Sequence, residues 1–389
     1  MKVSLLTGGG DKPYALGLLE ALVAKGITVD FIGSDDLGTA GIVHHANVNF
    51  LNLRGNQNPG VPVWKKCARV SRYYFRLLRY AATTDSSVFH ILWTNRFPLL
   101  DRVLLNLYYK LLGKKLILTA HNVNEKERDG GDGIFNRFTL RALYTLVDHI
   151  FVHTHKMKVQ LSEEFNIKDG KVSIIPFGIN NTIPCSELTK LEARGRLKLD
   201  ERHKVMLFFG NIAPYKGLDS AIDALERVKT KDDSYRLVIA GPVKGNQDYW
   251  DAIERAIEDR NLGENVIRMI EYIPDEVVEV YFKAADVLIL PYKFIYQSGV
   301  LFLSYSFGLP VIATDVGSLR EDILEGATGM VCRAADSVDL ANTIDSYFGS
   351  KLFRNLESAR IDIQAYGNSN YSWQEVVNII HPVYDSMTR

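Results

Sequence analysis

The segment at residues 290–317 constrains the fold of this chain more than any other stretch. It reads LPYKFIYQSGVLFLSYSFGLPVIATDVG, and the apolar strand Val287–Leu290 leads into it. A helix is expected at residues 297–307, followed by Gly308, which suits the left-handed position just past a helix end. A second apolar strand comes at Val311–Thr314. Strand, helix and strand at this spacing predict a βαβ unit of a parallel sheet.

The start of that helix is the first candidate for a binding site. Ser298 and Gly299, which follow Gln297, are small and leave the first backbone N–H groups of the helix uncovered. The positive end of the helix dipole favours an anion there, and a nucleotide diphosphate is the natural candidate. An ordinary βαβ unit with a glycine-containing loop has the same pattern, so this segment alone leaves both interpretations open.

Length and composition set the broad class. The chain has 389 residues, more than one ordinary hydrophobic core holds, so two domains are expected. The formal net charge is zero, which does not indicate nucleic-acid binding. Three widely spaced cysteines suggest a reducing compartment and no zinc cluster. The N-terminal run VSLLT is too short for a signal-peptide core, and no stretch reaches the roughly 18 apolar residues of a spanning helix. We therefore expect a cytoplasmic protein.

The first half of the chain reads as repeated α/β units. A strand at residues 3–7 is followed by Gly8, Gly9 and Gly10 and then by a helix at residues 15–25. The three glycines let a ligand approach the backbone closely. They lack the G-x-G-x-x-G spacing of a dinucleotide site, and a tight strand-to-helix turn explains them equally well.

Polar residues follow the expected strand at residues 116–119, and His121 is the first candidate among them. The carboxyl ends of strands are where open α/β folds bind ligands. Glu127 lies a few residues further on and is a possible carboxylate of the same site. His90 lies inside a strand instead, which is more typical of a packed side chain.

A third candidate is the basic segment at residues 64–80, which no acidic residue interrupts. Spacings of three and four residues put its cations on one face of a helix. These cations are Lys65, Lys66, Arg69, Arg72, Arg76 and Arg79. Such a face can bind anionic lipid headgroups or a polyprenyl-pyrophosphate acceptor. A solvated face paired with carboxylates elsewhere is the other interpretation.

A polar, strand-poor stretch that follows Gly178 and runs to about His203 predicts an inter-domain linker. The second half then restarts the α/β pattern. A strand at residues 205–209 leads into GNIAPYKG, where Lys216 precedes a helix start and can pair with a diphosphate. The next strands end at Gly241 and just before Tyr272 and Ile273.

The motifs of this half resemble those of the retaining glycosyltransferases of family 4. They are FFGNIAPYKGLDSAIDAL, LVIAGP, YIPDEVVEVYFKAADVLILPY, QSGVLFLSYSFGLPVIATDVGSLRE and GATGMVC, in the order of that family. The first half adds the glycine loop, TAHNVNEKE, HTHKMKVQL and IIPFGI, so the resemblance is nearly full length. It implies an α/β protein of GT-B fold, with two Rossmann-like domains facing across a central cleft. Residues 1–180 would form the acceptor-side domain and residues 181–365 the nucleotide-sugar domain, while residues 366–389 would form a helix that crosses back.

The same resemblance implies roles for individual residues. His121, approaching the donor sugar, and Lys216, holding the diphosphate, are the expected catalytic residues. The expected donor-binding residues are Gly9, Gly10, Asn211, Lys216, Gly241, Tyr272, Ile273, Gln297, Ser298, Gly299 and Val300. The expected acceptor or membrane residues are Lys65, Arg69, Arg72, Arg76 and Glu127.

The sequence departs from the family pattern at three positions. Asn211 stands where the family often has a basic residue, so one charge for the diphosphate is missing. The Glu-x7-Glu pair of the family would fall at Ile295 and Leu303, so both carboxylates are absent. Some relatives with a QSG loop share this loss. Ser304, or a residue of the loop at 294–297, is the candidate to replace them.

The function implied is transfer of a hexose with retention of configuration, in polysaccharide or glycolipid biosynthesis. The expected donor is a UDP-sugar such as UDP-glucose, and the expected acceptor is a glycan or a lipid-linked saccharide. No metal cofactor and no nucleic-acid partner are expected, and the protein would contact the inner membrane face reversibly. A non-catalytic GT-B subunit that binds nucleotide sugar is the alternative. A nucleotide-dependent oxidoreductase is disfavoured by the absent dinucleotide fingerprint.

Overall fold

The protein is described here from a computed structural model, which covers residues 1–58, 60–124, 131–179 and 183–388. It forms two compact units. Unit 1 comprises Met1–Gly178 and Ser372–Arg389, and unit 2 comprises Ile179–Tyr371. Each unit contains one parallel sheet with helices, as the repeated α/β pattern predicted.

Unit 1 has a seven-stranded sheet of order β3-β2-β1-β4-β5-β6-β7, and unit 2 has a six-stranded sheet of order β10-β9-β8-β11-β12-β13. The strands of unit 1 are β1 Lys2–Leu6, β2 Thr28–Gly33, β3 Val48–Asn52, β4 Val88–Ile91, β5 Lys115–Thr119, β6 His149–Val152 and β7 Val172–Ile174. Those of unit 2 are β8 Lys204–Phe209, β9 Tyr235–Ala240, β10 Val266–Met269, β11 Val287–Leu290, β12 Val311–Thr314 and β13 Gly329–Cys332. Every described pairing between these strands is parallel.

The helices connect these strands and cover the sheets. In chain order they are α1 Lys12–Ala24, α2 Val63–Thr83, α3 Leu105–Leu111, α4 Ile134–Leu146, α5 His155–Phe165, α6 Lys190–Arg196, α7 Leu218–Lys229, α8 Gln247–Asp259, α9 Asp275–Ala284, α10 Gly299–Ser306, α11 Leu319–Asp322, α12 Ser337–Gly349, α13 Lys351–Arg354, α14 Leu356–Asn370 and α15 Trp373–Thr388. A π-helical turn, Leu99–Leu104, precedes α3. Within the described ranges, no helix is both long enough and apolar enough to cross a membrane.

The last helix, α15, packs on α1 within unit 1. The Trp373 ring lies so close to Gly17 of α1 that a Cβ there would overlap the indole, and Gly178 meets the same ring. Glycine at these two positions therefore lets the indole dock. His90 of β4 completes this core, with Nδ1 2.5 Å from the Tyr384 hydroxyl of α15 and Nε2 2.7 Å from the Thr119 hydroxyl of β5. Burial lowers the pKa of His90 to about 3, so it is a packed neutral side chain, as its position in a strand predicted.

The segment at residues 183–203 belongs to the core of unit 2, whereas its polar composition had predicted an inter-domain linker. Its helix α6 begins with a capping box between Thr189 and Glu192. Arg194 of α6 is buried and forms an ion pair with Asp286 at 2.8 Å, and Lys190 bonds the same carboxylate. A buried charge pair of this kind is a long-range contact that composition does not reveal.

A tight turn at Gly217 joins the strand β8 to α7. Gly217 has φ +68°, and a Cβ at this position would overlap the carbonyl oxygen of Pro291 after β11. The Lys293 N–H bonds the Tyr215 carbonyl at 2.8 Å in the same contact. Only glycine permits this approach of the two loops, because an L side chain would add both strain and overlap.

Gly217→Ala should therefore destabilise the protein more than the backbone conformation alone requires. The matched control is Gly245→Ala, since Gly245 has φ +72° but no neighbour within 4 Å of its Cβ position. The control should lose about 1–2 kcal/mol of unfolding free energy, the cost of left-handed backbone. Gly217→Ala should lose about 1–3 kcal/mol more unfolding free energy than the control, because its methyl group overpacks the contact with Pro291. Urea denaturation measures both, and equal losses would contradict the packing argument.

Candidate functional site

The helix α10 starts in unit 2 without a side-chain cap. Its N-cap residue, Ser298, is buried, and its hydroxyl lies 3.3 Å from the Tyr292 hydroxyl instead of capping the helix. The Leu301 N–H bonds the Ser298 carbonyl at 3.1 Å, whereas the N–H groups of Gly299 and Val300 at the helix start have no intrahelical partner. Uncapped N–H groups at the positive end of a helix dipole are suited to an anion.

Lys216 lies beside this helix start. Its side chain is only 7% exposed, and its Nζ lies 5.6 Å from the centre of the Tyr292 ring. A Cβ at Gly210 would lie 2.9 Å from Lys216 Nζ and 3.6 Å from Val300 Cγ2, so the three residues meet. Burial lowers the pKa of Lys216 to about 8, and no carboxylate among the described residues offsets this. An unpaired buried ammonium is costly and is stabilised by an anionic ligand.

The loops after β8 and β9 pack closely at the same edge of the sheet. Gly210 donates its N–H to Ala240 at 2.8 Å, and a Cβ at Gly241 would overlap the Gly210 carbonyl. Asn211 is exposed and brings no charge. Tyr272 is 70% exposed, whereas Ile273 is 7% exposed. The Tyr272 ring is therefore available to a ligand, and Ile273 offers mainly its backbone.

The loop before α10 is held by the turn at Gly317. Gly317 has φ +59°, a Cβ there would overlap the Ile295 carbonyl, and the Ser318 N–H bonds the Tyr296 carbonyl at 3.1 Å. These contacts fix the backbone of the segment that carries Gln297. The loop is thus positioned by a turn 22 residues further along the chain (Ile295 to Gly317 and Tyr296 to Ser318).

Asp322 is a residue that the sequence did not single out. It is buried, and burial raises its pKa to about 6, partly offset by hydrogen bonds from Ser318, Tyr371 and Gln297. The Ser318 hydroxyl is 2.9 Å and the Tyr371 hydroxyl 3.3 Å from its carboxylate. Gln297 Oε1 is buried, and no described residue hydrogen-bonds to it. Asp322 follows Arg320 and Glu321 in the sequence. An acidic residue in such a charged run gives no signal that it is buried, so Asp322 was not predicted.

Ser304 does not replace the missing carboxylates, which corrects one expectation. It is fully buried, and its hydroxyl donates to the Leu301 carbonyl at 2.6 Å within α10. This is the back-bonding that serine prefers inside a helix. Leu303 is buried and Ile295 is half-buried, so neither position offers a polar group.

His121 lies at the carboxyl end of β5 in unit 1, as predicted. Its ring stacks on Trp93 with centroids 4.2 Å apart and an interplanar angle of 7°, and Tyr14 packs edge-on at 4.6 Å. Burial, and then His153 and His90, hold the pKa of His121 well below its usual value. The ring is therefore a neutral imidazole near neutral pH.

A chain of hydrogen bonds assigns the tautomer of His121. The Ile175 carbonyl can only accept, so His153 donates to it from Nδ1 at 3.3 Å. His153 is also neutral, because burial lowers its pKa to about 4. Its Nε2 therefore accepts from His121 Nδ1 at 3.1 Å. His121 Nε2 is left as an acceptor, and this buried atom has no hydrogen-bond partner within the described part of the chain.

The glycine loop of unit 1 packs against the same aromatic cluster. A Cβ at Gly8 would overlap the Trp93 carbonyl, and one at Gly10 would overlap the Trp93 ring. Gly9, at φ +78°, faces the Arg54 guanidinium, 2.5 Å from its Cβ position. The loop therefore needs glycine for packing. Ligand binding by Gly9 and Gly10 stays a prediction.

The basic residues of α2 line a cavity of unit 1 with a volume of about 320 Å³. The four that do so are Lys65, Arg69, Arg72 and Arg76. Glu127, expected to join them at the acceptor site, lies outside the described residues.

Two family models match consecutive parts of the chain. The family described as Glycosyltransferase Family 4 matches residues 8–182, and the family described as Glycosyl transferases group 1 matches residues 189–361. A D-inositol 3-phosphate glycosyltransferase of Nocardia farcinica is 24% identical over 252 residues, which cover 61% of this chain and 54% of that protein. The chain thus spans about half the length of this relative.

Solved structures show the same fold. Sucrose-phosphate synthase from Thermosynechococcus elongatus matches with a TM-score of 0.75 at 18% identity, covering 100% of this chain and 99% of its own. Anabaena Alr3699/HepE in complex with UDP-glucose matches with a TM-score of 0.75 at 16% identity, covering 99% and 100%. The chain therefore has the GT-B fold, and its two parts match, in order, the Glycosyltransferase Family 4 and Glycosyl transferases group 1 models.

Proposed function

We propose that the protein is a retaining glycosyltransferase that moves a hexose from a UDP-sugar, such as UDP-glucose, to a glycan or lipid-linked saccharide. The observation that carries this proposal is the buried, unpaired Lys216 beside the uncapped start of α10. The UDP-glucose bound by the similar Anabaena protein supports the choice of donor. The product belongs to polysaccharide or glycolipid biosynthesis, at the cytoplasmic side of a membrane.

The donor diphosphate would bind where Lys216 and the first N–H groups of α10 meet. Departure of UDP from an oxocarbenium-like sugar concentrates negative charge on the diphosphate. An ammonium and N–H groups held in place before the reaction stabilise that charge without reorganisation. These groups supply positive charge from the protein itself, and we propose transfer without a bound metal. Tyr272 would border the nucleobase, and the turns at Gly210 and Gly241 would leave room for the nucleotide.

The donor sugar would contact His121 through its Nε2. That atom is an unpaired acceptor, and a sugar hydroxyl is a donor of matching chemistry. Gln297 Oε1 is a second unpaired acceptor, held next to Asp322 in the loop before α10. We propose that Gln297 takes over contacts that carboxylates at residues 295 and 303 make in other family members.

A non-catalytic subunit that binds nucleotide sugar is the second candidate function. The observation that favours it is the absence of a polar side chain at both Ile295 and Leu303. Incubation of the protein with UDP-glucose distinguishes the two functions. Slow release of UDP by the wild type supports the enzyme, whereas tight binding with no release and no transfer supports the subunit.

Lys216→Ala should weaken UDP binding by about 1.5–3 kcal/mol, the range for hydrogen bonds to charged groups. The physical reason is that Asn211 brings no second charge to this site. Isothermal titration calorimetry with UDP measures the change. Lys244→Ala is the matched control, because Lys244 is an exposed lysine of the loop before α8. Unchanged UDP affinity in Lys216→Ala would refute the role of Lys216.

His121→Ala should lower kcat about tenfold, equivalent to one hydrogen bond of roughly 1.4 kcal/mol, while UDP affinity stays within twofold. His44→Ala, which removes an exposed histidine of unit 1, should change neither. Because the pKa of His121 is depressed, His121 should contribute no acid limb near pH 6.5 to wild-type turnover. Equal losses of kcat and UDP affinity would indicate a structural role instead.

Gln297→Ala should raise the KM for the UDP-sugar severalfold and leave the affinity for UDP alone unchanged, since the proposed contact is to hydroxyl groups of the sugar. Steady-state kinetics and UDP calorimetry measure the two effects. Weaker UDP binding with an unchanged KM would show that Gln297 shapes the diphosphate site rather than the sugar site.

A further inference from the structure

The cavity of about 320 Å³ in unit 1 lies between α2 and the preceding loop residues 53–56, 58 and 61. Among the described residues that line it, five side chains are cationic and none is acidic. They are Arg54 from the loop and Lys65, Arg69, Arg72 and Arg76 from α2. Its volume lies at the lower end of the range for small-molecule sites. The cavity is thus a concave site of one charge sign.

The four cations of α2 are not neutralised by neighbours. Among the described residues, none of them forms an ion pair with a carboxylate, and α2 itself contains no acidic residue. Like charges at helical spacings of three and four residues repel each other. This repulsion is greatest in the free protein and is relieved when an anion enters the cavity.

The cavity walls are held in place from both sides. The Arg69 guanidinium donates to the Asn56 carbonyl and so ties α2 to the loop. Arg54 donates to Asn95 and lies 5.3 Å from the centre of the Tyr73 ring, and Asp101 balances part of its charge. The loop itself is closed by the Gly55 N–H, which bonds the Asn52 side chain at 2.8 Å. The cations are therefore positioned before any ligand arrives, which limits the entropy that binding costs.

We propose that this cavity binds a phosphate or pyrophosphate group of the acceptor. Arginine forks match carboxylate and phosphate alike. A single carboxylate would leave most of this positive charge unbalanced, whereas a phosphate or pyrophosphate brings several negative charges. The assignment to the acceptor rests on the proposed glycosyltransferase function, but anion binding by the cavity does not.

The surroundings of the cavity suit a phosphate group that carries an apolar chain. Trp64, Phe75 and Leu78 of α2 are exposed large apolar side chains on a side of the helix that adjoins the basic face. A water-soluble phosphorylated sugar and a membrane lipid present the same phosphate chemistry. The experiment therefore includes one arm for each source.

The first arm is calorimetric titration of the full chain with inorganic pyrophosphate. Saturating UDP is present, because the donor site also attracts diphosphates. The wild type should bind pyrophosphate, and added salt should weaken the binding. Arg72→Gln combined with Arg76→Gln should reduce the affinity at least tenfold. The matched control is Lys66→Gln combined with Arg79→Gln, which removes the same charge from α2 at positions that do not line the cavity; it should stay within twofold.

The second arm is co-sedimentation with phosphatidylglycerol vesicles, with phosphatidylcholine vesicles as the uncharged reference. Binding that is lost in the cavity variant and retained in the control assigns the phosphate to a membrane lipid. Pyrophosphate binding without cavity-dependent sedimentation assigns it to a water-soluble acceptor.

Two results would overturn the proposal: a wild type that binds no pyrophosphate, or equal losses of pyrophosphate affinity in the cavity and control variants. UDP binding, measured separately, reports on the donor site alone. A protein that binds pyrophosphate but not UDP would refute the proposed donor site and leave the cavity assignment standing.

Discussion

The buried ammonium of Lys216 is the constraint around which unit 2 is arranged. Burial lowers its pKa to about 8, and no described carboxylate compensates for the desolvation. Its position requires a left-handed turn at Gly217 and the absence of a side chain at Gly210. Unit 2 therefore contains an energetically unfavourable charge and a glycine-dependent backbone conformation at one edge of its sheet. Binding of an anionic ligand stabilises such a site. The energetic cost of the buried charge is thus linked to the use proposed for it.

In unit 1, uncharged groups hold the candidate site residue His121 in a fixed orientation before any ligand binds. His121 is stacked on Trp93 and bonded to His153, so burial keeps it uncharged and the hydrogen-bond chain fixes its tautomer. The ring is thereby held in one orientation without a carboxylate partner. Glycines at residues 8 and 10 permit this packing, since a side chain at residue 8 would overlap the Trp93 carbonyl and one at residue 10 would overlap the indole. The His121 ring is therefore supported by ring contacts from four other residues, Tyr14, Trp93, His153 and Phe177.

The loop before α10 shows how a departure from a family pattern is accommodated. Apolar residues occupy positions 295 and 303, and the buried acid of the region is Asp322, which holds Gln297, Ser318 and Tyr371 together. Asp322 is used for structure, since burial raises its pKa and its oxygens are engaged. The one unsatisfied acceptor of the loop is then Gln297 Oε1 among the described side chains. The polar group that this loop leaves unsatisfied is thus an amide oxygen, and a carboxylate holds that amide in place.

The sequence by itself determined the local elements and the fold class. The strands Val287–Leu290 and Val311–Thr314 are confirmed residue for residue, and Gly308 has the expected φ of +64°. Apolar runs, glycine and helical spacing are local signals, because they reflect backbone conformation and burial over a few residues. The motifs extended these signals to the GT-B fold, and they placed His121 and Lys216 at strand ends and helix starts.

Only the tertiary structure decided which distant side chains meet. It placed Arg194 of an expected linker against Asp286, His153 against His121, and Asp322 beside Gln297. It also separated the basic residues of α2 into those that line a cavity and those that do not. Spacing along a helix predicts a shared face but not what lies opposite. These partners are far apart in the chain, and packing of whole elements, rather than any local pattern, brings them into contact.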